Sequence, residues 1–475
     1  MEKIRFDFNN MLSLNIGRKD GVSESELSAF VKKNKKAALH LKTIISHEGS
    51  RVNLGLQWAA LPFQNKEELK EIQELGREIA ANYKNVLFLG IGGSYLGLKA
   101  AQDALAPAYF NDFKTQRKNI PRIYFDGNNL DPEPLRALLN NLLPRETFVV
   151  VISKSGETTE TKAAFAVTEA WLKKGIGKHY GRQIVAITDP ASGTLRKKVI
   201  QENSADSLNF RSLALLKGVG GRFSEFNMGL LHLAVLGINL QELLEGARDM
   251  AARCSLGDAL KNPAYMYAAL QTIAYKKKGK VISVLMPFAQ SLKSTADWYS
   301  QLLAESLGKK FSREGKIVNT GRTPVAACGT GDLHSIQQNN IEGENNKTVT
   351  FIRVEKFRND ILVPQGSGIL SGMPYSKLMG LALEATEWSL VRECRPNCTI
   401  ILPRISPYFW GALIFFFEMA TAFEGEFLNV NAFDQPGVEG YKNYMYFKLR
   451  KPGLPESVAD QIRRNPLLKK QRFII

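Results

Sequence analysis

The chain has 475 residues, of which 44% are hydrophobic and 23% are charged, a balance typical of a folded globular protein with room for two or three domains. Basic residues outnumber acidic ones and give a formal net charge of +17, but they are spread along helical stretches and no nucleic-acid-binding motif accompanies them. The charge therefore indicates a basic surface that modestly favours anions, and we expect no nucleic-acid partner.

The sequence also argues against a membrane protein and a metal protein. No apolar run reaches the roughly 18 residues that a membrane-spanning helix needs. The longest run, residues 408–422, contains Glu418 and is predicted to be a buried helix. The N-terminus lacks the apolar core of a signal peptide. Cys394 and Cys398 lie four residues apart, but neither a second cysteine pair nor a nearby histidine completes a metal site. We expect reduced thiols and a cytoplasmic protein.

The first 72 residues are predicted to be mostly helical, with a helix beginning near Ser23, and a further helical pattern covers 66–83. After it, short apolar runs alternate with helical stretches. This alternation predicts a doubly wound parallel sheet. The predicted strands of this sheet cover residues 85–89, 122–125, 148–152 and 183–188.

A second alternating set of strands and helices follows in the C-terminal half. Its strands are predicted at 280–286, 348–354 and 399–403. The chain therefore contains two α/β regions of similar construction. The sequence shows no residue-level repeat between them, so any kinship would be structural.

The stretch FVVVISKSGETTET, residues 148–161, carries the strongest functional signal. A strand suited to burial on both faces ends here and a helix begins. Between the two elements the chain carries Ser153, Lys154, Ser155 and Thr158. In open parallel sheets ligands bind at such a junction, and the helix N-terminus favours an anion. Either hydroxyl of Ser155 or Thr158 could merely cap the helix. Three hydroxyls with a lysine in one turn favour a phosphate monoester.

A second strand–loop–helix unit carries the sequence GIGGSYLG, residues 90–97. Its glycines fail the spacing of a dinucleotide fingerprint, because the third glycine is replaced by Tyr95. They still allow close backbone approach to a ligand, and Ser94 could bind a sugar or phosphate oxygen. Asp126 and Asp189 end two predicted strands and could touch a ligand, although capping a loop is the commoner role.

Candidate catalytic side chains follow. Arg222 comes after two glycines, so a tight loop could present it to negative charge that develops on a substrate; a structural ion pair is the alternative. Gln301 and Glu305 share one face of a helix predicted over 294–311. Glu305 lies near the end of that helix and could be a general base. The spacing alone favours a surface ion pair between Glu305 and Lys309.

Two later segments add polar groups. His334 follows a Gly- and Thr-rich loop and is the best acid–base candidate among the five histidines, with a capped loop histidine as the alternative. The segment FDQPGVEGYK, residues 433–442, brings together Gln435, Glu439 and Lys442. Spacing alone assigns these three residues no role.

Taken together, these segments resemble the glucose-6-phosphate isomerase (phosphoglucose isomerase) family of the bacterial type. GIGGSYLG, SKSGETTET, VGGRFS, QLLAESLGKKF, GTGDLH and FDQPGVEGYK occur in the family's order, and the resemblance covers nearly the whole chain. VGGRFS and FDQPGVEGYK are highly specific to the family, whereas SKSGETTET is shared more widely by sugar isomerase (SIS) domains. The resemblance implies an α/β fold with two SIS-type three-layer αβα domains built on parallel sheets. The implied boundaries are 1–72 for an N-terminal helical segment, 73–235 and 236–440 for the two SIS domains, and 441–475 for a C-terminal helix and tail.

The resemblance also implies the reaction, which is the reversible isomerisation of glucose 6-phosphate to fructose 6-phosphate through ring opening and a cis-enediol(ate), without metal or cofactor. Glu305 would shuttle the proton, His334 and Lys442 would open the ring, and Arg222 would stabilise the enediolate. The implied substrate-binding residues are Ser94, Ser153, Lys154, Ser155, Thr158, Gly221, Gln301 and Gln435.

The resemblance further implies a homodimer with shared active sites, in which His334 completes the site of the partner chain. Two rival functions stay open from the sequence. One is an isomerase that also accepts mannose 6-phosphate. The other is a non-catalytic SIS protein that senses sugar phosphates. A sensor would need the loop 153–158 but not Glu305, His334 and Lys442 together, and the presence of all three argues against it.

Overall fold

The structure, a computed structural model, describes residues 2–205 and 209–475. The chain divides after Ala432 into two compact units. The first unit contains two five-stranded sheets and a two-stranded one. The strands are β1 Arg5–Asp7, β2 Asn85–Leu89, β3 Arg122–Asp126, β4 Thr147–Ile152, β5 Ile184–Thr188, β6 Arg211–Ala214, β7 Ile282–Pro287, β8 Lys309–Phe311, β9 Ile317–Thr320, β10 Thr323–Ala326, β11 Lys347–Lys356 and β12 Asn397–Arg404.

The helices of the first unit flank the two large sheets, and those of the second unit are short. The α-helices are α1 Ser13–Asp20, α2 Glu24–Lys33, α3 Lys35–Ser46, α4 Glu48–Leu54, α5 Lys66–Asn82, α6 Gly93–Leu105, α7 Lys114–Arg117, α8 Pro132–Asn141, α9 Thr159–Ile176, α10 Thr194–Ala205, α11 Gly229–Val235, α12 Leu240–Cys254, α13 Pro263–Lys278, α14 Lys293–Leu307, α15 Gln337–Ile341, α16 Tyr375–Arg392, α17 Pro407–Leu428, α18 Glu439–Lys448 and α19 Glu456–Arg464.

The first large sheet is fully parallel, with the strand order β3-β2-β4-β5-β6. Strands β2, β4 and β5 are buried along their whole length, which explains why their sequences read as continuous apolar runs. The four strands predicted for this sheet are confirmed. Strand β6 was not predicted, because its sequence RSLA is only half-buried and carries no apolar run.

The second large sheet has the order β1-β12-β11-β7-β10 and is parallel except at one edge. Its three predicted strands are confirmed as β7, β11 and β12. At the edge, β1 pairs antiparallel with β12. The prediction that residues 1–72 are mostly helical is confirmed, and β1 is an addition to it. A strand of three residues, exposed at both ends, leaves no periodic signal in the sequence.

Two helix predictions are confirmed in detail. The side chain of Ser23 accepts a hydrogen bond from the N–H of Glu26, whose carboxylate accepts from the N–H of Ser23, so the start of α2 is a capping box. Helix α17 buries its residues from Phe409 to Gly425, including Glu418. Within residues 2–205 and 209–475, no helix is both long and apolar enough to cross a membrane.

The core of the first unit contains a fully buried ion pair between Arg322 and Glu424 of α17. The guanidinium donates to both carboxylate oxygens, at 2.6 and 2.8 Å, and both side chains are 1% exposed. Arg322 also donates to the side-chain oxygen of Gln271 on α13 at 2.8 Å. Gln271 accepts a further bond from Thr348 at the start of β11. The pair therefore ties two helices to the second sheet.

We expect Arg322→Met to lower the free energy of unfolding by about 3–5 kcal/mol, because the change leaves Glu424 buried without a cation. The double variant Arg322→Met/Glu424→Leu should recover most of this loss. Urea denaturation followed by circular dichroism measures both. Arg211→Met is the matched control, because its ion pair with Glu78 is exposed to solvent and is worth at most about 1 kcal/mol. A double variant as unstable as the single one would contradict the unpaired-charge explanation.

Candidate active site

The loop between β4 and α9 holds its hydroxyl groups in three different ways. The hydroxyl of Ser153 accepts a hydrogen bond from the N–H of Gly156 at 3.0 Å, and that of Ser155 accepts from the N–H of Glu157 at 3.1 Å. Thr158 occupies the N-cap position of α9, but its side chain accepts no bond from the helix. The capping interpretation is therefore wrong for Thr158. The first N–H groups of α9, together with the exposed Lys154, suit an anion.

The glycine-rich loop between β2 and α6 lies directly against the turn that carries Arg222. A Cβ atom added at Gly93 would lie 1.6 Å from the carbonyl oxygen of Gly221, so only glycine allows the two backbones to approach this closely. A Cβ atom at Gly92, whose φ is +58°, would lie 2.9 Å from the amide nitrogen of Gln301. The loop therefore brings α6, the turn at Gly221 and α14 together.

The two loops that follow β2 and β4 lie at the same edge of the first sheet, because these strands are adjacent and parallel. From β2 the chain continues to β3 on one side, whereas from β4 it continues to β5 on the other. Such a reversal of direction opens a crevice at the carboxyl ends of the strands, where open α/β sheets bind ligands. Ser94, in the first turn of α6, donates to the sulfur of Met228 at 3.5 Å.

Arg222 and Glu305 form the centre of the site. The guanidinium is 1% exposed and donates from Nη1 to Oε2 of Glu305 at 3.2 Å. It also donates to the hydroxyl of Ser306 at 2.8 Å and to the carbonyl oxygen of Ala432 at 2.7 Å. The other carboxylate oxygen of Glu305 accepts from the amide of Gln301 at 3.0 Å. The carboxylate is thus oriented from both sides while 29% of its side chain remains exposed.

The interpretation of Glu305 and Lys309 as a surface ion pair is wrong. The ammonium group of Lys309 donates to the backbone carbonyl oxygen of Glu305 at 2.7 Å, and Lys309 is itself buried. It satisfies a carbonyl near the end of α14, where helices favour cations. The carboxylate of Glu305 instead accepts hydrogen bonds from Arg222 and Gln301.

The remaining candidates lie elsewhere in the chain. His334 ends an exposed turn after β10. Within the described ranges it has no hydrogen bond or ion pair to another candidate side chain. Lys442 and Gln435 belong to the second unit, which begins at Phe433. Lys442 donates to Glu439 at 2.8 Å, and this ion pair raises the pKa of Lys442 against the opposing effect of partial burial.

Asp126 and Asp189, which end two predicted strands, have the commoner of the two roles expected for them, that of loop caps. Asp126 accepts from the N–H of Gly127 at 2.6 Å. Asp189 accepts from the N–H groups of Ala191 and Ser192, both at 2.9 Å, which lowers its pKa. They cap loops.

Sequence reasoning missed two partners of Arg222. Ser306 follows Glu305 directly, and nothing in its sequence context marks it as a partner of Arg222. The carbonyl group of Ala432 has no signal in the sequence, because any residue supplies a backbone carbonyl. A buried network around Glu225 was also missed, although Glu418 stood out as an acid within an apolar run.

Comparison with known proteins gives concordant results. The sequence model of the family described as phosphoglucose isomerase matches residues 67–377 and 384–451. A glucose-6-phosphate isomerase of Carboxydothermus hydrogenoformans is 37% identical over 479 residues, which cover 99% of each chain. The crystal structure of a hypothetical protein from Thermus thermophilus has a TM-score of 0.81 at 31% identity and covers 94% of this chain and 99% of its own. A glucose-6-phosphate isomerase structure from Chlamydia trachomatis, 24% identical, has a TM-score of 0.77, covers 94% of this chain and 90% of its own, and shows the same fold.

We expect Gly93→Ala to lower turnover of the family's substrate roughly 10²-fold, since a shift of about 1 Å between reacting groups has that effect. The added methyl group must push the glycine-rich loop away from Gly221. Steady-state kinetics on purified protein measures the loss. Gly229→Ala is the control, because the nearest atom to its new methyl group would be 4.0 Å away. Equal activity of the two variants would show that the close contact does not shape the site.

Proposed function

The chain belongs to the phosphoglucose isomerase family, and on that premise we propose that it catalyses the reversible isomerisation of glucose 6-phosphate and fructose 6-phosphate. The observation that carries the proposal is the carboxylate of Glu305, which two donors orient and which stays partly exposed. A base that transfers a proton between neighbouring carbons needs this combination of fixed direction and access.

The sugar phosphate binds through its phosphate group at the loop after β4. Hydroxyl donors, an exposed lysine and the uncapped start of α9 support this assignment. Gly221 and Ser94 border the crevice, and Gln301 and Gln435 hold sugar hydroxyls. Because the phosphate lies far from the reacting carbons, its binding energy can position the sugar without taking part in bond changes.

Glu305 removes the proton from C2 of the open-chain sugar and returns it to C1, while the hydroxyl proton of O2 moves to O1, so that the C1 aldehyde becomes a hydroxyl group and C2 becomes the ketone carbonyl. Removal makes the carboxylate neutral and leaves a negative charge on the enediolate. Arg222 is already fixed beside the carboxylate, so its positive charge stabilises the new anion without moving. The total charge of the site is the same before and after the transfer.

Ring opening precedes this step and requires proton transfer between O5 and O1 of the sugar. We assign it to His334 with help from Lys442, following the family resemblance. An imidazole can both give and accept a proton near neutral pH, and a charged ammonium group can polarise the ring oxygen.

The functional molecule is a homodimer in which His334 of one chain completes the site of the other. Support comes from an exposed apolar surface on α16 and the segment before it. Ile369 is 93% exposed and Trp388 is 60% exposed, and Ile361, Leu362 and Tyr375 are also exposed. Several large exposed apolar side chains within one segment of a folded protein favour an interaction surface.

The sequence-based domain boundaries 1–72, 73–235, 236–440 and 441–475 form part of the proposal, and the two separate sheets support the central pair. A cytoplasmic location is also proposed. All four cysteines are free thiols, as in a reducing compartment.

The decisive test is a coupled assay for conversion of fructose 6-phosphate to glucose 6-phosphate without added metal. Measurable turnover supports the proposal, and its absence in folded protein refutes it. Parallel assays with mannose 6-phosphate and with unphosphorylated glucose separate a dual-specificity isomerase from a specific one and test the phosphate requirement.

We expect Glu305→Gln to bind substrate but to isomerise it roughly 10²–10⁴-fold more slowly, the usual contribution of a positioned general base. The amide keeps the shape of the carboxylate but cannot take up the proton. The same coupled assay gives turnover, and equilibrium binding of fructose 6-phosphate gives affinity. Glu314→Gln, a change of an exposed carboxylate in the turn between β8 and β9, is the control. Near-normal turnover of Glu305→Gln would remove Glu305 from the mechanism.

Shared active sites predict complementation. Chains with Glu305→Gln and chains with His334→Ala should each be inactive, and unfolding and refolding them together should restore activity. A mixed dimer then contains one site with both an intact Glu305 and an intact His334. If each chain supplied both groups to its own site, every mixture would stay inactive. That result, with mixed dimers confirmed by mass spectrometry, would refute the shared site and leave the isomerase proposal standing.

A further inference from the structure

Two buried carboxyl groups, Glu225 and Glu418, lie behind the Arg222–Glu305 pair and have no part in the proposed mechanism. Glu225 follows Arg222 by three residues and is 3% exposed, and Glu418 lies in the middle of α17 and is fully buried. The two carboxyl groups lie within hydrogen-bonding reach of each other. Oε1 of Glu225 accepts a hydrogen bond from the indole N–H of Trp298 at 2.6 Å. In the described chain no well-aligned donor bonds the other three oxygens.

These two groups cannot both be ionised at ordinary pH. Burial raises the pKa of each, and the charge of Glu225 raises the pKa of Glu418 further. Two carboxylates in contact inside a protein repel each other strongly, and the lowest-energy state holds one proton between them. That proton supplies the donor for a hydrogen bond between the two carboxyl groups.

The pair lies where three helices around the active site meet. Trp298 is on α14, seven residues and so about two turns before Glu305 on the same helix. Gly97 is on α6, and a Cβ atom added there would lie 2.5 Å from Oε1 of Glu225. Glu418 is on α17. The side chain of Glu225 therefore connects the turn that carries Arg222 to all three helices.

The turn formed by residues 221–224 couples the position of Glu225 to that of Arg222. The hydroxyl of Ser224 donates to the carbonyl oxygen of Gly221 at 2.5 Å and closes the turn. Arg222 lies inside this closed turn, so a displacement of Glu225 moves the guanidinium relative to α14. An apolar side chain in place of Glu225 could fill the same space, but it would fix neither the distance nor the direction of the contact with Trp298.

We propose that Glu225 and Glu418, sharing one proton, are positioning residues that hold Arg222 and α14 in the geometry required for proton transfer by Glu305. The proposal rests on the isomerase function. Within residues 2–205 and 209–475 neither carboxyl group bonds a residue of the loop 153–158, so loss of the pair should act on the chemical step rather than on phosphate binding.

The test compares substitutions that break the pair with substitutions that keep its hydrogen bonds. Glu225→Ala should lower kcat by roughly 10–10²-fold while KM changes less than about threefold, because misplacement of the reacting groups affects the transition state more than ground-state binding. Glu225→Gln should restore most of kcat, since its amide oxygen can accept from Trp298 and its NH₂ group can donate to Glu418. Glu418→Gln should also keep most of kcat, because its NH₂ group can donate to the carboxylate of Glu225.

Infrared spectroscopy gives a second readout that a purely structural role does not predict. The wild-type protein should show the C=O stretch of a buried protonated carboxyl group, and the double variant Glu225→Gln/Glu418→Gln should lose it. Glu169→Ala is the matched control. It removes a buried carboxylate that bonds Tyr180 and no residue of the candidate site, so it should lower stability without changing kcat.

Several outcomes would overturn the proposal. They are an unchanged kcat in folded Glu225→Ala, a Glu225→Gln variant as impaired as the alanine variant, or no protonated-carboxyl band in the wild type. If Glu225→Ala does not fold, Trp298→Phe decides, because it removes the indole donor but keeps an aromatic ring. Its kcat should fall several-fold at constant KM, and an unchanged kcat refutes the proposal. An inactive wild-type protein that shows the band would refute the isomerase function and not the shared proton.

Discussion

The buried guanidinium of Arg222 is the constraint on which the site depends. A cation that is 1% exposed needs a counter-charge, because an unpaired buried charge costs several kcal/mol. Glu305 supplies this charge in the resting protein. In the proposed mechanism Glu305 takes up a proton, and the enediolate becomes the counter-charge in its place. The same burial that makes an unpaired Arg222 costly therefore favours the state in which the substrate carries the negative charge.

The fold places this cation by bringing distant segments to one crevice. The glycine-rich loop follows β2, the turn with Arg222 follows β6, and Glu305 lies on α14, which follows β7 of the other large sheet. Gly93 is essential to this arrangement, since its backbone touches the carbonyl group of Gly221. This backbone contact holds two loops of the first sheet together. The hydrogen bond from Arg222 to Glu305 then links these loops to α14, and a larger residue at position 93 would separate the carboxylate from its cation.

The sequence predicted the elements better than the contacts. Buried strands such as β4 carry continuous apolar runs, so their positions follow from local pattern. Strand β1 could not be predicted in this way, because its pairing with β12 is decided by a partner near the other end of the chain. For the same reason spacing alone assigned Glu305 to Lys309, its neighbour on the helix, whereas Arg222 lies 83 residues earlier in the chain. Family motifs indicated both residues, but their contact required the fold.

Helix α17 shows why an acid within an apolar run can have opposite consequences. Glu418 and Glu424 lie on the same helix, both fully buried, and burial raises the pKa of both. Arg322 opposes that effect at Glu424, so this group is an ion pair that ties helices to the second sheet. At Glu418 the partner is another acid, and the favoured state contains a shared proton. The Arg322–Glu424 pair contributes to stability, and apolar side chains can replace both of its partners. The Glu225–Glu418 pair fixes the direction of a hydrogen bond, which only another hydrogen-bonding side chain can reproduce.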